Sequence, residues 1–246
     1  MILSKKISKN EILNSYKIAE SSNLFSNKKK KIKINKILID NRIERDFFMT
    51  NAVSLSKKLL GKILIRKLGE EILKCRIVEV EAYMGTKDKG SHTYNDRKTE
   101  RTKYYWLQGG HLNVYLIYGT NHCFNIIANV EEKPQGCLIR AVEPIEGIEI
   151  ISQNRQLTNK KKYVHSIYNL TNGPGKVCSA LQIDRTYNGH DICNSNEIFL
   201  IHDPGYQFKI KSSPRINIDY AEEYKEKLWR FFIKNNPYVS KHKFNY

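Results

Sequence analysis

No stretch of this 246-residue chain is apolar for long enough to span a bilayer. Its first twenty residues also lack the apolar core of a secretory signal, because Lys5, Lys6, Lys9, Glu11 and Lys17 interrupt it. Both absences point to an intracellular protein, in a bacterial cytoplasm or nucleoid, or in a nucleus or organelle if the source is eukaryotic. None of the five cysteines (Cys75, Cys123, Cys137, Cys178, Cys193) falls in a C-x-x-C pair, and their number is odd. A zinc site or a disulfide framework is therefore not expected, and buried free thiols are. No internal repeat is visible. Acidic residues are scarce beside basic ones, 25 against 42, which gives a formal net charge of +17. That excess selects polyanions or an anionic membrane surface as partners. Residues 1–36 hold ten lysines and two glutamates, so +8 of the charge lies there and +9 in the rest. The body is basic without its tail, which favours nucleic acid over membrane.

Residues 1–36 contain no Gly, no Pro and no sustained amphipathic period. They read as a poorly ordered basic arm ahead of a domain over 37–246. The run Lys28–Lys31 fits nonspecific phosphate binding, a targeting signal or a plain solubilising tail. Ala52–Leu60 has helical spacing, with Val53, Leu55, Leu59 and Leu60 on one side, and Gly61 ends it. Lys62–Leu68 and Ile72–Tyr83 read as strands joined at Gly69-Glu70. Leu112–Tyr118 and His122–Val130 form a second pair, and Cys137–Glu143 is a further strand. Pro144 is expected to open a helix reaching about Arg155. A basic loop over 156–171 follows, then a helix opened by Gly173-Pro174-Gly175-Lys176 and ending at Leu181. Short strands are expected around Ile198–Ile201, Phe208–Ile210 and Leu228–Ile233. Hairpin connections and an excess of strands over helices give an α+β fold built on an antiparallel sheet.

Within Arg76–Tyr83, side chains alternate faces. Val78, Val80 and Ala82 suit a core, while Glu79, Glu81 and Tyr83 share the other face. Two readings are open: a solvated edge face with ordinary surface glutamates, or buried carboxylates that are paired or in use. Carboxylates two apart on one face sit ~7 Å apart, a spacing that a two-carboxylate glycosidase also uses. Arg140, within Leu138–Val142, is a charge among apolar neighbours and calls for a carboxylate such as Glu79, Glu81 or Glu143. Between residues 83 and 118 lie Tyr83, Tyr94, Tyr104, Tyr105, Trp106, Tyr115 and Tyr118, interleaved with His92, His111, Arg97, Lys98, Arg101 and Lys103. Cations for phosphates beside planes for stacking make a nucleic-acid surface, although tyrosine-rich strands can equally form a core. Tyr118, at the turn Tyr118-Gly119-Thr120-Asn121, reads either as an exposed aromatic packing on a neighbouring loop or as a wedge of the kind that base-extruding proteins insert. Gly173–Lys176 presents amides and a lysine at a helix start, which suits a phosphate. It lacks the spacing of a nucleoside-triphosphatase loop.

Five ordered segments carry a resemblance. They are Leu59–Lys62, Ile77–Tyr83, Val114–Gly119, Leu138–Pro144 and Gly173–Cys178, closed by Pro214-Arg215-Ile216 and Trp229–Ser240. Together they resemble the alkyladenine (3-methyladenine) DNA glycosylase family of mammals and many bacteria, from about residue 45 to 240. The resemblance implies a single α+β domain around a curved antiparallel sheet with a protruding hairpin. It implies a monomer that acts on damaged duplex DNA without metal or organic cofactor and does not engage membranes. The implied reaction is monofunctional: a damaged purine is removed, an abasic site remains, and no lyase step follows. By position, Glu81 would activate the attacking water and Arg140 would support it. Tyr83, His92 and Tyr115 would line the base pocket, and Asn125 would exclude normal guanine. Tyr118 would intercalate, and Thr99, Arg101 and Lys176 would hold phosphates. Glu79 is left with a structural role. The reading from another class is a noncatalytic nucleic-acid-binding protein using the same surface, which needs no carboxylate at the strand end.

Overall fold

Strand β2, Glu71–Tyr83, organises the sheet because it has neighbours along both edges. The chain is described here by a computed structural model covering residues 41–117, 119–158 and 166–245. The expected basic arm, the Lys160–Lys162 run and Tyr118 lie outside the described residues. β1, Ile63–Leu68, turns through Gly69, whose φ of +59° suits glycine, into β2. The remaining strands are β3 (Leu112–Ile117), β4 (Asn121–Ala128), β5 (Gln135–Glu146), β6 (Ile198–Ile201), β7 (Ile210–Ser213) and β8 (Arg230–Ile233). The sheet runs β3-β4-β5-β2-β1-β6, and β8 joins β2 beyond β1 and carries β7. Every pairing is antiparallel. The fold is α+β, with an open eight-stranded sheet.

Three α-helices belong to the described fold: α1 (Ala52–Leu59), α2 (Ile148–Thr158) and α3 (Pro174–Leu181). Asn51 caps α1 by accepting from the Ser54 amide at 2.9 Å. α1 buries Ala52, Leu55 and Leu59, and α3 buries Val177, Cys178, Ala180 and Leu181. These meet Val78, Val80 and Ala82 of β2 in the main core, where all three are completely buried.

Two expectations need correction. Pro144 does not open a helix; it lies within β5, opposite Cys75, where the β2–β5 register shifts. A proline has no N–H to give to a ladder, so such an irregularity accommodates it. The helix begins after Gly147, whose φ of +80° makes the turn. The strand expected at Phe208–Ile210 is instead Ile210–Ser213. Its polar residues gain strand order by pairing with Phe231, Phe232 and their neighbours in β8.

Candidate active site

Two bulges aim the central residues of the site. Val78 on β2 and Arg140 on β5 both fall in register shifts between the paired residues Ile77, Glu79 and Val80 of β2 and Val142, Ala141 and Ile139 of β5. A bulge redirects a side chain out of the regular alternation. Arg140 uses this to span both glutamates, with Nε donating to Glu79 at 2.9 Å and Nη1 to Glu81 at 3.3 Å.

Glu79 and Glu81 are both completely buried, so neither is a surface glutamate. Their partners separate their roles. Glu79 accepts from Arg140 Nε, Arg230 Nε at 2.7 Å, the Ser240 hydroxyl at 2.7 Å and the Ser240 amide at 2.8 Å. Burial works against its ionisation, but the charges of Arg140 and Arg230 outweigh it and hold the pKa below the usual carboxylate value. Its acceptor capacity is filled by the fold. Glu81 accepts three hydrogen bonds: from the Ile216 amide to Oε1 at 2.7 Å, and from the Tyr83 hydroxyl at 3.0 Å and Arg140 Nη1 to Oε2. An ionised carboxylate offers about four acceptor positions, and among the described residues Glu81 has one donor fewer than Glu79.

Next to the partners of this carboxylate lies a cavity of about 550 Å³, whose lining does not include Glu81 itself. Tyr83 and Arg140, the two side chains that hold Glu81 Oε2, are in its wall. Register explains the grouping of the others. Tyr115 pairs with Cys123, Ile117 with Asn121, and Asn125 with Leu138, so one face of β3-β4-β5 lines the cavity. His92 closes on Tyr115 edge to face, with ring centroids 4.8 Å apart. Burial, helped by the charges of Arg101 and Arg97, lowers the His92 pKa to about 4. The Tyr115 and Tyr83 phenols are pushed well up by burial and by neighbouring groups that include Glu81. The Asn125 amide is 1 % exposed, and neither of its polar atoms makes a hydrogen bond of normal geometry, although the Tyr105 phenol faces it. A buried amide left unpaired in a cavity wall is suited to contacting a ligand.

The rim is cationic on two sides. On one, α3 begins at Gly173–Lys176, and Gly175 passes so near the hairpin that a Cβ there would meet Asn121 Cβ at 3.0 Å. Lys176 donates to Asn172 at 2.6 Å, and burial together with Arg155 lowers its pKa. On the other side, Arg101 leads into a groove of about 310 Å³ that holds Thr99, Arg97, Lys89 and Tyr220.

A family model described as methylpurine-DNA glycosylase matches residues 46–237. The chain belongs to this family. Three relatives carry the name "Putative 3-methyladenine DNA glycosylase". That of Natranaerobius thermophilus is 46 % identical over 81 % of this chain and 98 % of its own length. That of Clostridioides difficile is 48 % identical over 78 % of this chain and 100 % of its own. The Clostridium tetani relative is 46 % identical over 81 % of this chain and 99 % of its own. Membership makes this chain a DNA repair glycosylase, and DNA its substrate.

Of the residues singled out from the sequence, Tyr83, His92, Arg101, Tyr115, Asn125, Arg140 and Lys176 line the one cavity. Glu81 does not line it but is hydrogen-bonded to Tyr83 and Arg140, which do, and Thr99 lies in the adjoining groove. Tyr118 lies outside the described residues. Sequence reasoning gave no role to the Ile216 amide or to Tyr220, and counted Tyr105 only among the aromatics that could stack or form a core. Ile216 acts through its backbone, which no side-chain pattern reports. Tyr105 packs against the cavity because Gly136 has no Cβ, which would sit 2.7 Å from its ring. No helix among the described residues is long and apolar enough to cross a membrane, and no cluster of three or more His, Cys, Asp or Glu among them is arranged to hold a metal.

Proposed function

We propose that this glycosylase excises alkylated purines, of the 3-methyladenine and 7-methylguanine type, by flipping them from duplex DNA into the cavity next to the partners of Glu81. The observation that carries the reading is the carboxylate itself: it is fully buried and fixed by three donors among the described residues, two of which, Tyr83 and Arg140, are in the wall of an aromatic cavity. Glu81 takes a proton from a water molecule as the water oxygen bonds to C1′. The C1′–N bond breaks and its electron pair stays with the base. An alkylated purine is cationic, so it leaves neutral and needs no acid. Positive charge growing on the sugar is stabilised by the same carboxylate. Arg140, pinned to Glu79, holds Glu81 in place and offsets its charge. Tyr83, Tyr115 and His92 form planes that favour an electron-poor base, and Asn125 crowds the 2-amino group of normal guanine. Thr99, Arg101 and Lys176 hold phosphates on either side of the extruded nucleotide, and Tyr118 fills the gap in the stack. The product is an abasic site with no strand cleavage, the enzyme acts as a monomer inside the cell, and the domain over 37–246 carries the activity behind a basic arm.

Glu81→Gln tests this. Loss of a positioned general base lowers rates by about 10²–10⁴-fold, so release of 7-methylguanine should fall at least ~10²-fold while duplex binding persists. Undiminished release would remove Glu81 from the mechanism. No base release by the wild-type chain would leave a binding protein only.

A further inference from the structure

The amide of Ile216 is the only donor to Glu81 Oε1 among the described residues, and it belongs to a segment without regular structure between β7 and Asp219. A backbone amide in such a segment keeps its direction only if something else fixes the chain. The neighbouring side chain does so. Arg215 is fully buried at its guanidinium and forms a fork on Asp88, with Nη1 to Oδ2 at 2.6 Å and Nη2 to Oδ1 at 2.7 Å. Nη1 also donates to the Ala82 carbonyl at 3.1 Å, in the residue between Glu81 and Tyr83. The guanidinium lies over Tyr83 at 4.7 Å and over Trp229 at 5.1 Å. Trp229 is itself tied to β2, its carbonyl accepting from the Ala82 amide at 2.8 Å.

Asp88 extends the same connection to the opposite wall. It accepts from the Met84 amide at 3.0 Å and from the Gly90 amide at 2.9 Å. Gly90 is in the cavity wall, two residues before His92, and a Cβ there would meet Arg215 Nη2 at 2.8 Å. The loop can cross the guanidinium only because this residue has no side chain. One buried ion pair thus fixes the amide under Glu81, the ring of Tyr83 that donates to it, and the loop that brings His92 to Tyr115.

We propose that Arg215 and Asp88 are the positioning pair of this active site: they set the Ile216 amide and the Tyr83 ring, and so the orientation of the Glu81 carboxylate behind the cavity wall. The role rests on the assignment of Glu81 as the base. A planar, five-donor guanidinium is required, because a lysine keeps the charge but can neither form the fork nor stack on both rings.

The experiment is single-turnover base release from a duplex carrying one 7-methylguanine, run alongside DNA affinity and thermal unfolding, with wild type, Arg215→Lys and Asp88→Asn. Misplacement of about 1 Å costs on the order of 10²-fold in rate. The proposal expects each variant to lose about 10- to 100-fold in the single-turnover rate, with DNA affinity kept and the chain still folded at the assay temperature. The double variant should be no slower than the worse single one, since the two residues act as one unit. In Arg215→Ala, added guanidinium should restore rate where sodium does not. A rate unchanged in Arg215→Lys overturns the proposal, as does a loss accounted for entirely by unfolded protein or weakened DNA binding. If neither single variant folds, the pair is a stability element and the proposal falls. Absence of release by the wild type would count against the glycosylase substrate instead, so the two failures are distinct.

Discussion

Arg230 and Glu79 are both completely buried and meet through Nε and Oε1 at 2.7 Å, although 151 positions separate them. This pair anchors β8 to β2 behind the candidate active site, and Arg140 reaches Glu81 from the same carboxylate. Removing one partner of a buried, hydrogen-bonded ion pair strands the other, at a cost of about 3–5 kcal/mol. Glu79→Gln should therefore lower unfolding stability by about that amount in urea titrations. It leaves the Arg230 guanidinium without its counterion and Arg140 with Glu81 alone. Base release measured on the folded fraction should fall less than in Glu81→Gln.

The same carboxylate gives stability a pH dependence. The Glu79 pKa is depressed in the folded state, where Arg140 and Arg230 outweigh burial. The unfolded chain therefore binds its proton first as pH falls. The contribution is complete above the unfolded carboxylate value, about 4.3, and is lost as pH drops through the lower folded value. Acid-unfolding curves of Glu79→Gln should be flatter than wild type in that window. Curves of equal slope would assign the acid sensitivity to other carboxylates.

His92 works in the same direction over a higher window. Burial, then Arg101 and Arg97, bring its pKa to about 4. Between about pH 6.5 and 4 the unfolded chain takes a proton that the folded chain refuses. Stability is thus full above that range and declines through it. A two-dimensional NMR titration should find the His92 ring neutral at pH 6, and His92→Gln should remove this part of the decline. A neutral ring also adds no positive charge of its own against a cationic base.

Much of this arrangement is legible in the sequence, and what is not has a common cause. The alternation of Val78, Val80 and Ala82 against Glu79, Glu81 and Tyr83 announces a strand with one apolar and one chemical face. It cannot say which glutamate the fold surrounds with more donors. That depends on Arg230, Ser240 and Ile216, which arrive from more than 130 positions downstream. Arg215 and Asp88 are likewise two ordinary charged residues in the sequence, made a unit only by folding. Local signals also misled: Pro144 has the chemistry of a helix start, but the shifted register opposite Cys75 and the turn at Gly147 place it in a strand. The segment Ile210–Ser213 lacks strand character until β8 supplies a partner.

Asn125 offers a test of discrimination. Its unpaired amide already bears a desolvation cost of about 1–3 kcal/mol, so Asn125→Ala should change stability by less than about 1 kcal/mol as relief offsets the lost packing. On DNA, the variant should release undamaged guanine faster relative to 7-methylguanine than wild type does. An unchanged ratio would show that guanine is rejected elsewhere.

The two cationic rims should differ from the buried arginines in their response to salt. Each lysine or arginine that neutralises a phosphate contributes about one unit to the slope of log affinity against log salt. Arg101 is exposed at one rim, and Lys176 stands at the first turn of α3 on the other. Arg101→Gln and Lys176→Gln should each reduce the slope by about 1, and weaken lesion-bearing and intact duplexes alike, because phosphate contacts carry no information about the base. Arg140 is 8 % exposed and engaged by two carboxylates. Arg140→Gln should leave the salt slope unchanged while slowing base release. Fluorescence anisotropy across a salt series, paired with single-turnover rates, separates the two behaviours. If Arg140→Gln also lowered the slope, its guanidinium would face DNA rather than Glu81.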